Sequence, residues 1–228
     1  MNINFKYDKI INFSLMKTTI AIKNGKAGLI DINGFILTDF IYDDLSSYYE
    51  EKNGCSWALY EDNFISMRLN NKWGILNQKG EIIIDFLHEN KVRIEKLGKN
   101  LVAVLDNKYY LININGEKIK ELPFDCVIVN LDEFAIVSLN ELFGLINNNG
   151  DLILECKYKW IDSPPQSKYF ALLNQDDNWG VMNLEKEIVI DFKYDSIEIC
   201  RIDDNQYSFI VEFEKKSALL NEKGKQIA

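Results

Sequence analysis

The sequence predicts an all-β repeat protein of six units of roughly 36 residues, either a closed six-bladed β-propeller or an open stack of β-hairpin repeats. Three observations carry this. One octet recurs six times, at 27 to 34, 73 to 80, 109 to 116, 143 to 150, 179 to 186 and 217 to 224. Each octet ends in turn residues. The N-terminal Phe5-Lys6-Tyr7-Asp8 matches Phe192-Lys193-Tyr194-Asp195, so the visible chain starts in the second half of a repeat.

With Gly28, Gly74, Tyr110, Gly144, Gly180 and Ala218 as anchors, the intervals are 46, 36, 34, 36 and 38 residues. Asp or Asn stands three residues past each anchor (Asp31, Asn77, Asn113, Asn147, Asn183, Asn221). Gly stands three further on in all but the fifth, where Lys186 replaces it. Asn or Asp at the first position and Gly at the fourth suit a type I turn: the side chain bonds the backbone two residues on, and Gly accepts a left-handed exit. Lys186 predicts a strained turn or one of another type.

An apolar run follows each of four turns: Phe35 to Leu37, Ile82 to Ile84, Leu152 to Leu154 and Ile188 to Ile190. Fourteen residues past the anchor sits a ring (Tyr42, His88, Phe124, Tyr158, Tyr194), followed by Asp at Asp43, Asp125 and Asp195. Upstream of the anchors lie β-rich stretches that end in Asn24-Gly25, Asn70-Asn71, Asp106-Asn107 and Asp176-Asp177. Each unit therefore offers three or four strands, and no segment has the period of a helix. The units fall at about 1–40, 41–86, 87–122, 123–156, 157–192 and 193–228 of a single domain spanning 1–228. Termini out of phase with the anchor suit a ring whose last sheet both ends complete, which removes exposed strand edges.

Trp73-Gly74 and Trp179-Gly180, each followed by two apolar residues and Asn, then by an apolar strand and Tyr-Asp or its variant, resemble the WG-repeat proteins, a widespread bacterial family. Elsewhere the pair reads Phe143-Gly144, Tyr109-Tyr110, Ala27-Gly28 and Ser217-Ala218. The resemblance implies a β-rich interaction scaffold and carries no catalytic residues across.

Composition fits that class. The chain is 47% hydrophobic with three Pro and twelve Gly, enough to build a core shared between stacked repeats. It has no apolar run of about 18 residues and no basic-then-apolar leader, so a cytoplasmic protein without membrane partners is expected. Cys55, Cys126, Cys156 and Cys200 form no CxxC, which predicts reduced thiols, three of them near strands, and no metal. Twenty-six basic and 35 acidic residues give a net charge of −9, which disfavours direct nucleic-acid binding and leaves a basic protein partner open. A monomer is expected.

Two features depart from mere repetition. Eleven residues past five anchors stands an acid (Asp39, Asp85, Glu121, Glu155, Asp191), which a closed fold would arrange as an acidic ring able to attract a cation or a basic tail. The competing reading is strand-end hydrogen bonding, or pairing with lysines such as Lys157 and Lys193. An insertion at 46–63 carries Tyr48, Tyr49, Glu50, Glu51, Trp57 and Tyr60, residue types that dominate interface hot spots. The alternative is that Trp57 and Tyr60 extend a strand and cover its edge. Trp160, before Pro164-Pro165, is a further contact candidate or a strand terminator. The anchor rings Trp73, Tyr109, Phe143 and Trp179 are expected to pack between units.

The single histidine, His88, fills a slot that other units give to Tyr or Phe, so no catalytic triad can be assembled, and no cofactor motif is present. The sequence thus predicts a non-enzymatic scaffold that binds a protein through the insertion and an acidic face. Two other readings stay open: an inhibitor or immunity protein whose acidic surface mimics nucleic acid, and a carbohydrate- or small-ligand-binding propeller. The exposed aromatic candidates do not repeat, which counts against the last.

Overall fold

The computed structural model describes residues 5–11, 17–43, 60–61, 64–131, 133–164, 167–203 and 206–227. Among them there is no helix, and hence none long and apolar enough to cross a membrane. The chain divides into two compact units, Met1–Leu122 and Pro123–Ala228.

In the first unit, one antiparallel sheet comprises β1 (Lys9–Ile10), β2 (Thr18–Lys23), β3 (Lys26–Asp31) and β4 (Tyr42–Asp43). A second comprises β5 (Tyr60–Glu61), β6 (Phe64–Leu69), β7 (Lys72–Asn77) and β8 (Ile82–His88). The third comprises β9 (Arg93–Leu97), β10 (Asn100–Leu105), β11 (Lys108–Ile112) and β12 (Lys118–Leu122). Their inner strands bury Leu29, Ile65, Met67, Ile75, Leu76 and Leu111 at 2% exposure or less.

The second unit repeats the plan. Its first sheet holds β13 (Cys126–Leu131), β14 (Phe134–Leu139), β15 (Leu142–Asn147) and β16 (Leu152–Tyr158). Its second holds β17 (Trp160–Asp162), β18 (Tyr169–Leu173), β19 (Trp179–Asn183) and β20 (Ile188–Tyr194). Its third holds β21 (Ser196–Arg201), β22 (Tyr207–Phe213) and β23 (Lys216–Asn221), with a bridge from Leu220 to Gln226 in the fourth position. Every sheet is thus drawn from one contiguous stretch in sequential order. The expected sharing of a sheet by the two termini is corrected: Lys9–Ile10 pairs with β2, and the last sheet is extended by its own residue Gln226.

Local chemistry explains the plan. The hairpins between second and third strands turn on Asn24-Gly25, Asn70-Asn71, Asp106-Asn107, Asn140-Glu141 and Glu214-Lys215, with φ positive at both residues of each pair. That is the type I′ turn, whose twist matches the strands it joins. The expected turn at Asp176-Asp177 is different: a wider loop anchored on Asn174, whose Oδ1 accepts from the backbone N–H of Asp176 and Asn178.

The third-to-fourth strand turns follow the octet. In all six, the N–H of the fourth residue donates to the carbonyl of the Asp or Asn, at 2.9–3.1 Å. In five of the six, the Asp or Asn side chain also accepts from the N–H two residues on. Lys186 makes the same turn as the glycines, at φ +67°, so the strained alternative holds.

Candidate functional site

What joins one sheet to the next starts at the anchor glycine. Trp73 lies across from His88 and Ile75 across from Ile84, leaving Asp85-Phe86-Leu87 opposite Gly74 alone. The same three-against-one bulge sets Glu155-Cys156-Lys157 across from Gly144 and Asp191-Phe192-Lys193 across from Gly180. The middle residue tucks over the glycine: a Cβ on Gly74 would stand 2.7 Å from the Ile84 carbonyl oxygen and 2.9 Å from the Phe86 ring. Gly180 meets Phe192, and Gly28 meets Phe40, in the same way. Glycine is needed because the bulged strand occupies the space of a side chain.

The bulge ring then receives the terminal ring of the preceding repeat. Tyr7 packs on Phe40, Tyr42 on Phe86 and Tyr158 on Phe192, with centroids 5.6, 5.2 and 6.2 Å apart. The Asp after the terminal ring reaches further: Asp8, Asp43, Asp125 and Asp195 accept from the I′-turn N–H of Gly25, Asn71, Asn140 and Glu214 in the sheet that follows, at 2.7–3.3 Å. Burial raises the Asp43 carboxyl, but the Asn71 N–H, Lys26 and Arg68 outweigh it and hold the group below the usual carboxylate range.

Where the Asp is missing, the polarity of the joint is exchanged. His88-Glu89 replaces Tyr-Asp, and there the carboxylate sits on the turn. Asp106 binds His88 Nδ1 at 2.8 Å and accepts from the Glu89 N–H, and His88 holds the Asp106 carboxyl below its ordinary value. Lys159 follows Tyr158 and bonds Asp177 in the next loop at 2.7 Å. His88 is therefore an aromatic substitute with a structural partner.

The phased acids are the outward flank of the bulge. Asp39, Asp85, Glu155 and Asp191 are exposed, and among the described residues none of them has an ion pair. Lys157 and Lys193 lie instead over the rings of Tyr158 and Tyr194, 5.7 and 5.4 Å from the centroids. Glu121 is not equivalent: it lies directly across from Tyr110, with no bulge at that anchor, and pairs with Lys108 at 3.2 Å. No group of three or more His, Cys, Asp or Glu placed to hold a metal occurs among the described residues.

Of the aromatic contact set, Tyr48, Tyr49, Glu50, Glu51 and Trp57 lie outside the described residues, as does Cys55. Tyr60 is a strand residue, across from Ile65 in β5. Trp160 is 48% exposed on β17 and packs edge-to-face with Phe143, ring centroids 5.0 Å apart. Of the anchor rings, Trp73 is buried at 8% exposure, whereas Tyr109, Phe143 and Trp179 are half-buried. Cys126, Cys156 and Cys200 are free and half-buried on strands, and burial pushes the thiols of Cys156 and Cys200 up, away from reactivity.

A second polar joint closes the last sheet. Glu222 accepts from Tyr169 OH at 3.1 Å, from the Tyr207 N–H at 2.8 Å and from Lys168 at 3.4 Å. Burial and the Glu222 carboxylate push the Tyr169 hydroxyl up to about 12, so it stays protonated and keeps donating this bond at neutral pH.

The bulge residues Phe40, Phe86, Cys156 and Phe192 stand at a fixed place two residues before each terminal ring, a signal present in the sequence and missed by attention to the anchor alone.

Six small antiparallel sheets of one common strand order define an all-β repeat protein. Residues 143–178 and 179–199 match the WG containing repeat. No curated protein matches the sequence. Among solved structures, the chain is similar to a eukaryotic initiation factor, with 11% identity and a TM-score of 0.48 over 98% of this chain and 66% of that one. It is also similar to Hsv2p of Kluyveromyces lactis (10%, TM-score 0.42, 94% of this chain and 75% of that one). A third is BamB from Moraxella catarrhalis (11%, TM-score 0.35, 93% and 70%). The chain spans just under two thirds of the length of the initiation factor chain.

Proposed function

We propose that this is a non-catalytic scaffold that binds another protein along the outer strands of its sheets. The observation that carries the reading is a repeated pairing. Three bulged strands present an exposed acid (Asp85, Glu155, Asp191), as does the segment leading into β4 (Asp39), and near its start each of the four exposes an aliphatic side chain, with Ile36, Ile82, Leu152 and Ile188 at 48–56% exposure. Regularly spaced acids and aliphatic groups suit a partner with basic and apolar residues at a matching repeat. Tyr48, Tyr49, Glu50, Glu51, Trp57, Tyr60 and Trp160 are proposed as its aromatic anchors. We also take the six sheets as blades of one closed ring in a cytoplasmic monomer. The common sheet order supports that reading, as do the rings passed between consecutive sheets inside each unit, from Tyr42 to Phe86 and from Tyr158 to Phe192.

Affinity capture from the cells that make the protein tests the binding reading. The wild type is compared with D39N/D85N/E155Q/D191N and with a deletion of residues 46–59. A partner held by the wild type and lost from either variant supports the proposal, and equal recovery overturns it. If the partner is displaced steeply by salt and is itself a nucleic-acid-binding protein, mimicry by the acidic face becomes the better account.

A further inference from the structure

We propose that the first unit carries a binding site for a small organic anion, a molecule with an acidic head and an apolar body. The site is a cavity of about 310 Å³ between the second and third sheets, a volume within the range of small-ligand pockets. Phe64, Ile83 and Leu101 form its apolar wall, with Phe64 and Leu101 themselves buried at 7% and 3% exposure. Three turns surround it: the β7–β8 turn with Lys79, the β9–β10 turn with Lys99, and the β11–β12 turn with Ile114.

Charge separates this cavity from the rest of the surface. Lys79, Lys96 and Lys99 line it and no Asp or Glu does, in a chain with 35 acidic and 26 basic residues. Lys79 and Lys99, on two of the turns around it, bring positive charge into a negative overall field, and a low-dielectric wall concentrates it. An anion is thereby favoured, and the apolar wall favours one with a hydrocarbon or ring portion over a bare ion.

The mouth is also held in place. The Lys79 N–H donates to Asn77 Oδ1 at 2.9 Å, and the neighbouring Gln78 carbonyl accepts from Thr18 Oγ1 at 2.9 Å, so the turn bearing Lys79 is fixed at both residues. Gly98, at φ +58°, tightens the turn bearing Lys99. Ile114, 64% exposed on the rim, gives the apolar portion a further surface. None of this depends on the acidic outer strands or on a protein partner.

Two fluorescent probes of similar body test the site: anilinonaphthalene sulfonate, an anion, and N-phenyl-1-naphthylamine, which is neutral. The wild type is expected to bind the sulfonate saturably, one per chain. Lys79→Gln/Lys99→Gln should weaken it on the order of tenfold while changing the neutral probe by no more than about twofold. Lys79→Arg/Lys99→Arg should retain binding, and Lys157→Gln/Lys193→Gln, away from the cavity, should leave it unchanged. Both substituted lysines are exposed, and an unaltered melting curve of the Gln variant confirms its fold. Absence of saturable one-to-one binding, or equal sulfonate affinity in the Gln variant and the wild type, overturns the proposal.

Discussion

The second and third sheets differ by one residue at the anchor, and the difference reorganises a strand. With Gly74, Trp73 lies across from His88, fifteen residues on; with Tyr110, Tyr109 lies across from Leu122, thirteen on. Two residues of bulge disappear. In their place the ladder runs directly across from the anchor, Tyr110 faces Glu121, and Lys118 lies 4.1 Å from the Tyr110 ring centroid. Phe124, spaced like the terminal rings, then falls beyond the end of β12. The anchor glycine is therefore what permits the bulge, and the bulge is what turns an acid outward and seats the ring of the preceding repeat.

The largest test of this contrast is at the neighbouring ring. Trp73→Ala, at a buried site, should cost about 3–5 kcal/mol in chemical denaturation. Tyr109→Ala, half-buried beside an anchor without a bulge, should cost clearly less; equal losses would break the distinction. Gly74→Ala forces a methyl group against the Ile84 carbonyl and the Phe86 ring, for an expected cost of about 1–3 kcal/mol. Tyr110→Ala meets no such wall and should cost about 1–3 kcal/mol through lost packing of its half-buried ring instead, so that Tyr110→Phe, which keeps the ring, should stay within about 1 kcal/mol whereas Gly74→Ala does not.

Acid titration sharpens the comparison of the joints. Asp43 has a lowered pKa in the fold, so its stabilisation is complete above the unfolded value of about 4 and is lost as pH falls through the folded value. Asp43→Asn should therefore lower stability at pH 7 and flatten its decline in acid, as followed by circular dichroism. Tyr169 works at the other end of the scale, in the second unit. Its pKa is raised to about 12, so its contribution is whole below about 10 and vanishes as pH climbs to about 12. Tyr169→Phe should remove that part of the alkaline transition.

The smallest effect is at the exceptional turn. Lys186→Gly relieves a left-handed lysine, which costs about 1–2 kcal/mol, and offsets part of that gain with greater unfolded-state freedom. A rise in melting temperature of a few degrees is expected, and a fall would show that the lysine side chain holds the turn.

Much of the fold was legible because turns are local. Asn77 and Gly80, or Asn221 and Gly224, specify their hydrogen bonds within four residues, and alternating apolar strands follow between them. Long-range register was not. Whether a residue fourteen places past the anchor faces it depends on a bulge, which needs Gly and a ring to coincide across two strands; Tyr110 broke that link without disturbing the period. The acids illustrate the same limit: Asp85, Glu155 and Asp191 share a phase because they flank a bulge, while Glu121 shares the phase and not the environment. The lysine-lined cavity was invisible because it forms between two repeats, Lys79 from one and Lys96 and Lys99 from the next, at positions with no common phase.

The Tyr-Asp pair has a consequence for how such a chain can lengthen. A repeat sends its ring and carboxylate forward to the next and accepts the same two groups from the one before. A segment copied whole and spliced in at that dipeptide would arrive with both halves of each seam already matched, so growth or loss by complete copies leaves no buried ring or turn amide stranded. A cut placed elsewhere would have to be repaired by compensating exchanges, of the kind that put Asp106 opposite His88 and Asp177 opposite Lys159.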